Sequence, residues 1–403
     1  MGKNLILLTN FFPFAKGEEY LESELPILAR KFDNIYILAC MISEGSNTTR
    51  TVPSNVVVIK SGLDHSKVGR ISMLINAIPT SVDEKKLRLD RKFYSKYFES
   101  RSNLISEQFI KKLNQFEINN NDTFIIYSYW LYITANVALI LKEKVPYLNN
   151  SRVISRAHRY DLYEDEAPLR FLPKREYLLN NLDKIYPVSE DGKKFLVRKY
   201  PKFENKIHVR HLGTINHGEI KKVSLSKLHL ISVSGVRKVK RLDLLINALS
   251  EINIDFKWTH IGDGPEINAI IKLANSKIPS GKFEFLGSMS NKEVFEYYLE
   301  EKPTYFINVS ESEGIPVSIM EAMSVGIPVI ATNVGGTAEI VNNTNGFLIN
   351  KGITPTELSV VIKKSFGVSE EYYTEMSNKA LNTWNEEYDA EKLYDEFSRE
   401  ILE

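Results

Sequence analysis

Two glutamates lie eight residues apart in a segment that also contains two Gly-Ile-Pro triplets and a Gly-Gly pair. Glu313 and Glu321 belong to the run SESEGIPVSIMEAMSVGIPVIATNVGGTAEIV, which covers residues 310–341. Ionised carboxylates accept hydrogen bonds, so such a pair suits the neutral hydroxyl groups of a ribose or a hexose. Two carboxylates can also act as acid and nucleophile in glycoside hydrolysis. The plain alternative is that both glutamates are solvated surface charges.

The residues around this pair predict where the two side chains lie. Tyr305–Val309 is rich in β-branched and aromatic residues, which is typical of a buried strand. Pro316 suits the first turn of the helix that follows, and Gly326 suits its C-terminal end. Glu313 then lies in a loop at the carboxyl end of a strand, the edge where open α/β sheets bind ligands. Unpaired N–H groups from Gly314 to Val317 favour an anion such as a nucleotide phosphate.

Composition excludes several classes of protein. The 403 residues carry 52 Lys and Arg, 51 Asp and Glu and a net charge of +1, so no general affinity for nucleic acid is indicated. Cys40 is the single cysteine, which excludes a disulfide framework and a cysteine-based zinc site and fits a reducing cytoplasm. The first apolar run, Leu5 to Leu8, is too short for a signal peptide, and no run approaches the roughly 20 residues of a membrane span.

Short apolar runs alternate with longer amphipathic stretches along the chain. This alternation predicts parallel strands in doubly wound α/β sheets. The predicted strands are Leu5–Leu8, Ile35–Ala39, Phe124–Tyr127, Val153–Ser155, Lys184–Pro187, Leu228–Val233, Lys257–Ile261, Tyr305–Val309 and Pro328–Ala331. A polar, Lys-rich stretch over residues 211–230 interrupts the pattern and predicts a boundary between two domains.

The segment with the two acids resembles the retaining glycosyltransferases of family 4, which have the GT-B fold of two Rossmann-like domains facing across a cleft. Their E-x7-E signature stands here as EGIPVSIME, from Glu313 to Glu321, and a strand and a Gly-Gly turn follow it. The resemblance implies that Glu313 holds hydroxyl groups of a donor sugar and that Glu321 holds those of the ribose. It also implies a nucleoside-diphosphate sugar as co-substrate and no metal or other cofactor, in keeping with the absence of any Asp-x-Asp motif.

The run VSGVRKVKRLDLLINAL, residues 233–249, resembles the strand, loop and helix that carry the family's phosphate-binding arginine and lysine. Lys240 matches the lysine, whereas the arginine position, counted back from Lys240, falls on Gly235. Arg237 is the candidate substitute. The alternatives are that Lys240 acts with backbone N–H groups alone, or that this basic run is an exposed helix start.

Two further segments resemble the nucleotide side of the family. HIGDGPE, residues 260–266, is similar to a strand and turn near the nucleotide, and FLGSMSNKEVFEYY, residues 285–298, to the next strand, whose loop contacts the base. The donor-binding residues implied in this way are Gly17, Arg237, Lys240, Gly264, Glu313, Gly314, Ile315, Pro316, Val317 and Glu321. Within this set the resemblance assigns Lys240 and Glu313 to catalysis, together with His158.

The first half of the chain resembles the family more weakly. His158 and Asp161, in SRAHRYDLYEDEAP, match a family pattern of a histidine followed closely by an aspartate, which implies that His158 orients the donor sugar and that Asp161 lies on the acceptor side. Gly17 occupies a loop where the family has flexible glycines. Trp130, in YSYWLYITA, is predicted to line the acceptor cleft, with the core as the alternative. A structural histidine and an ordinary strand-to-helix turn remain the alternatives for His158 and Gly17.

These patterns predict four segments. Residues 1–215 form an acceptor-side Rossmann-like domain, 216–228 a linker, 229–385 a nucleotide-sugar-binding domain, and 386–403 a C-terminal helix that either stays with the second domain or crosses back to the first. The expected activity is metal-independent transfer of a hexose to a glycan or a lipid-linked acceptor in bacterial surface polysaccharide biosynthesis. A basic, aromatic stretch over 83–101 suggests peripheral contact at the inner face of the membrane, or else a solvated helix face.

Three other functions compete with this one. A retaining glycosidase needs its carboxyl groups about 5–5.5 Å apart, whereas eight residues of helix span roughly 12 Å. A nucleotide-sugar epimerase would keep the same fold and change the reaction. A catalytically inactive sugar-binding subunit would keep the fold and lose the chemistry, although Glu313, Glu321, Lys240 and His158 are all present.

Overall fold

A computed structural model describes residues 2–15, 17–64, 87–116 and 122–403. The chain divides into two compact units, the first comprising Met1–His211 with Glu391–Glu403 and the second comprising Leu212–Ala390. The stretch 216–228, predicted as a linker, belongs to the second unit.

The first unit is built on a six-stranded sheet in the order β3-β2-β1-β4-β5-β6. All neighbouring strands pair in parallel. Alternate residues of β1 enter two separate apolar clusters, so both faces of the sheet are covered, as parallel sheets require. The strands are β1 (Lys3–Thr9), β2 (Asn34–Ser43), β3 (Val56–Gly62), β4 (Thr123–Ser128), β5 (Arg152–Ala157) and β6 (Lys184–Pro187).

Helices connect these strands and cover the sheet. The loops that matter below are those that leave the carboxyl ends of β1, β4 and β5. Ser189 accepts a hydrogen bond from the Gly192 N–H at 3.0 Å and is the N-cap of the last of these helices. The helices are α1 (Leu21–Ala29), α2 (Leu89–Leu113), α3 (Ile133–Lys144), α4 (Arg159–Leu162), α5 (Arg175–Asn181) and α6 (Glu190–Lys199).

The second unit repeats this architecture. Its six-stranded sheet has the order β12-β11-β10-β7-β8-β9, again with parallel pairs throughout. Both sheets therefore show the doubly wound Rossmann-like order in which the chain reverses direction at the centre of the sheet. The strands are β7 (Leu228–Val233), β8 (Phe256–Ile261), β9 (Phe283–Phe285), β10 (Tyr305–Asn308), β11 (Val329–Thr332) and β12 (Gly346–Ile349).

The helices of the second unit have clear sequence signals at their ends. Thr354 and Glu357 form a capping box around Pro355, and Gly326 follows a helix with a φ of +86°, as a C-terminal glycine should. The helices are α7 (Leu242–Ser250), α8 (Ile267–Lys277), α9 (Asn291–Glu301), α10 (Val317–Ser324), α11 (Thr337–Ile340), α12 (Pro355–Phe366) and α13 (Glu370–Glu387).

The last helix, α14 (Ala390–Leu402), belongs to the first unit from Glu391 onward. Tyr394 and Phe397 place their rings against the guanidinium of Arg156, at 5.6 and 4.8 Å from the ring centroids. Arg156 is fully buried and pairs with Glu24 at 3.2 Å. Because a buried charge is tolerated only with partners, this arrangement ties α14 to the centre of the first sheet.

Candidate active site

The candidate site of the second unit lies where the strand order of its sheet reverses. β7 and β10 are neighbours, with Tyr305 paired with Leu230 and Phe306 with Ile231. The loops 234–241 and 309–316 follow these strands and therefore leave the same edge of the sheet. In doubly wound sheets, ligands bind in the crevice at this switch point. Both loops contain residues that the sequence predicted to be functional.

Lys240 and Glu313 are in direct contact. Lys240 Nζ lies 2.6 Å from Glu313 Oε1, which also accepts from Asn308 Nδ2 at 3.3 Å. The side chain of Glu313 is 10% exposed and that of Lys240 23% exposed, so the pair borders solvent at the sheet edge. The structure thus brings together an ammonium group that can face a phosphate and a carboxylate that can face hydroxyl groups.

Backbone hydrogen bonds fix the loop that carries Glu313. Ser310 donates its N–H to Asn308 Oδ1 at 3.0 Å and accepts from Thr332 Oγ1 at 2.5 Å through its carbonyl. Glu311 donates its N–H to the carbonyl of Val239 at 2.8 Å. These bonds join the loop after β10 both to β11 and to the loop after β7, so Glu313 is held in place from two sides.

The Gly-Gly pair has a packing role. A side-chain carbon at Gly335 would lie 1.9 Å from the carbonyl oxygen of Glu313, and Gly335 has a φ of +50°. A side-chain carbon at Gly336 would lie 2.7 Å from Ile315 Cγ1. The Gly336 N–H donates to the carbonyl of Gly314 at 3.1 Å. Only glycine allows the two loops to approach this closely, which explains why the segment contains the Gly-Gly pair.

The start of α10 has the features expected of an anion site. The helix begins at Val317, so Pro316 directly precedes it rather than lying in its first turn. Ile315 is buried, whereas a side-chain carbon built at Gly314 would meet no atom of the described residues within 4 Å beyond its two chain neighbours. The first-turn N–H groups of a helix have no partner within the helix and carry its positive dipole end. A phosphate can therefore approach the backbone at Gly314.

Gly264 packs the loop after β8 against the loop after β7. A side-chain carbon at Gly264 would lie 2.4 Å from the carbonyl oxygen of Val236, and one at Gly262 would lie 1.9 Å from that of Ser234. The Val236 N–H donates to the carbonyl of Asp263 at 3.0 Å. Gly264 thus shapes the loop that carries Lys240, and its predicted contact with the donor stays a prediction.

Arg237 is exposed in the same loop and directly precedes a short 3-10 helix over Lys238–Lys240. Its Nε lies 4.0 Å from the position that a Cβ atom would occupy at Gly235. The Arg237 side chain therefore lies beside the position at which the resemblance expects an arginine. Arg237 is therefore an exposed residue at a helix start, and its role as the substitute for the family's arginine stays a prediction.

Glu321 lies further along α10 and is half-buried. Its Oε1 accepts from Asn291 Nδ2 at 2.5 Å. Burial raises the pKa of the Glu321 carboxyl to about 7, and the hydrogen bond from Asn291 opposes this rise. Asn291 is the first residue of α9 and was not singled out from the sequence, since an asparagine after a helix N-cap is common.

In the first unit, His158 follows β5 and begins α4. His158 and Asp161 form a capping box, in which the His158 N–H donates to Asp161 Oδ1 at 2.6 Å. The imidazole packs between the rings of Tyr129 and Trp130, with centroids 4.8 and 4.7 Å away. Burial, and then the nearby Arg156 charge, lower the pKa of His158 to about 3. Its Nε2 is buried and has no hydrogen-bond partner within the described part of the chain.

Asp161 is fully buried, and backbone N–H groups of two different loops donate to its two carboxylate oxygens. The second oxygen accepts from the Leu131 N–H, and Arg175 donates to the Asp161 carbonyl. Burial raises the pKa of the Asp161 carboxyl to about 7, although the Arg175 charge and the backbone donors lower it. This arrangement favours a structural role for Asp161 in holding His158, while its predicted contact with the acceptor stays a prediction.

Gly17 and Trp130 line the same pocket of about 510 Å³ in the first unit. Gly17 follows β1 and has a φ of +99°, and Trp130 follows β4, which is the neighbour of β1 in the sheet. Glu18 also lines this pocket, and its carboxylate accepts a hydrogen bond from the Trp130 indole. The sequence did not identify Glu18 as more than a loop residue, because one glutamate beside another gives no signal of burial.

Residues 215–382 match the family model of the glycosyl transferases group 1. The chain is 30% identical over 180 residues to N-acetyl-alpha-D-glucosaminyl L-malate synthase from Bacillus anthracis, covering 43% of this chain and 45% of that protein. It is 28% identical over 233 residues to the amylovoran biosynthesis glycosyltransferase AmsK from Erwinia amylovora, covering 53% of each. The matches thus span about half the length of these curated relatives.

The fold as a whole resembles solved structures. HepE from Anabaena, in complex with UDP and glucose, superposes with a TM-score of 0.65 at 14% identity, covering 100% of both chains. Two Rossmann-like parallel-sheet domains, as in the GT-B glycosyltransferases, are therefore the fold class of this chain, and this part of the prediction is confirmed.

The predicted membrane contact falls partly outside the described residues, since 83–86 of the stretch 83–101 are not described. The remainder lies before and within α2, where Leu89 and Phe93 are 70% and 56% exposed. Within the ranges that the structure describes, no helix is both long enough and apolar enough to cross a bilayer.

Proposed function

We propose that this protein is a retaining glycosyltransferase that moves a hexose from a nucleoside-diphosphate sugar to a hydroxyl group of a glycan or lipid-linked acceptor. The observation that carries the proposal is the contact between Lys240 and Glu313 at the switch point of the second sheet, 2.6 Å between their charged atoms. The cation and the N–H groups at the start of α10 suit the diphosphate of such a donor. The carboxylate suits the hydroxyl groups of its sugar.

Leaving-group stabilisation is the main catalytic demand. The bond between the anomeric carbon and the diphosphate breaks, the bond to the acceptor oxygen forms, and the acceptor proton passes to the departing phosphate on the same face. Lys240, once released from Glu313, acts with Arg237 and the N–H groups at the start of α10 to stabilise the charge that develops on the diphosphate, which is electrostatic catalysis. No protein base is required in this scheme.

The acidic residues bind the neutral parts of the donor. Glu313 accepts hydrogen bonds from sugar hydroxyl groups once Lys240 turns toward the diphosphate. Glu321 accepts from the ribose hydroxyl groups in the place of Asn291. His158, neutral because burial lowers its pKa to about 3, orients the sugar by hydrogen bonding rather than by charge.

The comparisons support this proposal on the donor side. The region matched by the family model contains Arg237, Lys240, Gly264, Glu313 and Glu321. The E-x7-E spacing is the finer sign that points to family 4. Amylovoran biosynthesis, in the name of one relative, supports a biosynthetic role. The role proposed for this chain is bacterial surface polysaccharide biosynthesis in the cytoplasm. A lipid-linked acceptor would bring the enzyme to the inner face of the membrane.

The direct test is product analysis. Purified protein is incubated with UDP-, GDP-, ADP- and dTDP-hexoses and a panel of glycan and lipid-linked acceptors, and products are identified by mass spectrometry and by the anomeric coupling constant in proton NMR. A new glycosidic bond with the donor's configuration is the expected result. The matched control is Glu313→Gln, which keeps the side-chain size and removes the charge.

Each other outcome has a definite meaning. An inverted product contradicts the retaining mechanism, free sugar without transfer indicates a hydrolase, and an epimerised donor indicates an epimerase. Donor binding without any reaction indicates an inactive sugar-binding subunit. Each of these four results overturns the proposal as stated.

A further inference from the structure

Glu18 is the most heavily bonded acidic side chain of the loop between β1 and α1. Its Oε1 accepts from the Asn10 N–H at 2.7 Å and from Trp130 Nε1 at 2.6 Å. Its Oε2 accepts from the N–H groups of Phe11 and Phe12, each at 2.7 Å. Three consecutive backbone donors and one indole thus converge on one carboxylate that is 3% exposed.

The backbone at Glu18 is unusual for a residue with a side chain. Its φ is +62°, next to Gly17 with a φ of +99°. The left-handed region is rarely occupied by residues other than glycine, asparagine and aspartate. Such a conformation persists only where the surrounding structure holds it, and it is concentrated at functional sites. The four hydrogen bonds to the Glu18 carboxylate stabilise this backbone conformation.

The indole that Glu18 holds forms part of a pocket wall. The pocket of about 510 Å³ is lined by Gly17, Glu18 and Trp130, together with Tyr160 and Arg101. Tyr160 is 50% exposed. Indole and phenol rings at a pocket wall offer flat apolar faces, and the arginine offers N–H donors, which is the combination that a sugar ring with its hydroxyl groups requires.

We propose that Glu18 is a positioning residue for the acceptor: it fixes the Trp130 indole and the Gly17 loop so that the pocket takes a pyranose ring of the sugar acceptor. The inference rests on the proposed function for the identity of the acceptor. The hydrogen bond from Trp130 to Glu18 joins the loop after β4 to the loop after β1, so the indole cannot rotate without losing a bond to a carboxylate. Glu18 acts through Trp130 and touches no reacting atom.

The test is Glu18→Gln in the full chain. Glutamine keeps the length of the side chain but places an NH₂ group against converging N–H donors. The emission of Trp130 is isolated by subtracting the spectrum of Trp130→Phe, since the other two tryptophans, Trp258 and Trp384, are fully buried in the second unit. In Glu18→Gln this component is expected to shift in wavelength and to be quenched more readily by acrylamide.

Kinetics supply the second readout. Loss of a hydrogen bond to a charged group predicts a rise in the acceptor KM of about tenfold. The donor KM is expected to change by less than about twofold, because the groups proposed to bind the diphosphate and the ribose, Lys240 and Glu321, lie in the second unit. Glu18→Asp, which restores the carboxylate, should recover part of the loss. A general loss of structure would instead change both KM values together and would not be rescued by aspartate.

Glu22→Gln is the matched control. Glu22 lies on α1, is exposed and pairs with Arg50 Nε at 2.6 Å, away from the pocket. Its replacement should leave both readouts at their wild-type values. Should Glu18→Gln fail to fold, Trp130→Phe alone is measured, and it should raise the acceptor KM without changing the donor KM.

Two results would overturn the inference. One is an unchanged Trp130 emission in folded Glu18→Gln, and the other is an unchanged acceptor KM in either variant. Failure of the proposed function gives a different result, since wild-type protein would then transfer no sugar. The spectral response of Trp130 to Glu18→Gln would still report on the positioning role in that case.

Discussion

Lys240 Nζ and Glu313 Oε1 lie 2.6 Å apart and join the loops that follow the two central strands of the second sheet. Without a ligand, the cation expected at the diphosphate and the carboxylate expected at the sugar neutralise each other. A partly exposed ion pair of this kind contributes about 0–1 kcal/mol to stability. Its main consequence is that both side chains lie together at the place proposed for the donor.

Lys240→Ala should weaken binding of the nucleotide-sugar donor by about tenfold or more, because a charge-assisted hydrogen bond is worth about 1.5–3 kcal/mol. The unfolding temperature should change little, since the pair borders solvent. Calorimetric titration with the donor and thermal unfolding measure the two effects. Lys238→Ala, an exposed lysine in the same turn, is the control. Equal losses in both variants would show that general charge, and not the position of Lys240, attracts the donor.

Gly335→Ala should lower both stability and activity, because it displaces the loop that carries Glu313. The new methyl group would lie 1.9 Å from the carbonyl of Glu313 in a left-handed backbone conformation. We expect a loss of about 1–3 kcal/mol in the free energy of unfolding and a fall in activity. Gly352→Ala is the control, because its nearest neighbour would lie 3.7 Å away. A Gly335→Ala protein with wild-type stability would mean that the two loops are less closely packed than the structure shows.

Donor binding should depend on pH through Glu321. Burial raises the pKa of its carboxyl to about 7, so the charged form that accepts ribose hydroxyl groups is present above that pH and is lost below it. If only the charged form binds, the Kd for a UDP-sugar should be roughly tenfold higher at pH 6 than at pH 8. Titrations at both pH values check this. Glu321→Gln should bind weakly with little pH dependence, and a wild-type Kd that is the same at both pH values would contradict the role of Glu321.

The sequence predicted the local elements around Lys240 and Glu313 better than the contacts that these elements make. Glu313, Lys240 and Gly326 lie in elements with strong local signals: apolar strands, a proline before a helix and a glycine after one. Two strands, β3 and β12, were not predicted, and β9 was expected only from the resemblance of residues 285–298. β9 is only three residues long, Phe283–Phe285, and lies at the edge of the sheet. Its strand structure depends on pairing with β8 rather than on a local sequence pattern.

The supporting contacts could not be predicted because they join residues distant in sequence. Trp130 and Glu18 are 112 residues apart, and Glu24 and Arg156 are 132 apart. Nothing in the local pattern distinguishes these glutamates from solvated ones. The packing role of Gly335 against Glu313 is hidden for the same reason, since it depends on two loops that meet only in the folded sheet.

His158 should make stability depend on pH. Its pKa is lowered from 6.5 to about 3, so between these values the unfolded chain binds more protons and the folded state loses stability as pH falls. The slope is at most about 1.4 kcal/mol per pH unit. Asp161 acts in the opposite direction, because its pKa is raised from 3.8 to about 7 and its contribution is lost as pH rises.

The comparison that isolates His158 is wild type against His158→Gln. Denaturant unfolding at pH 4, 5, 6 and 7 should give a stability difference that shrinks toward low pH. The other histidines and Asp161 are present in both proteins, so their contributions to the pH dependence of stability cancel to first order in the difference. A difference that stays constant over this range would contradict a neutral, buried imidazole at His158.

Turnover should survive chelation. Lys240, Arg237 and the start of α10 are proposed to meet the charge of the leaving diphosphate without a divalent ion. Activity in EDTA, followed by addition of Mg²⁺ or Mn²⁺, measures this directly. Complete loss in EDTA with recovery on adding metal would contradict the metal-independent mechanism, although the fold and the donor site would stand.

Binding of the donor to the second unit is the most direct test of the roles proposed for Lys240, Glu313 and Glu321. Thermal unfolding of wild type, Lys240→Ala, Glu313→Ala and Glu321→Ala is followed with a panel of UDP-, GDP-, ADP- and dTDP-sugars, because a ligand that binds only the folded state raises its stability. We predict that at least one nucleotide sugar raises the wild-type unfolding temperature and that the rise is much smaller in each of the three variants. A panel that shifts none of the proteins, or shifts all four equally, would contradict the account.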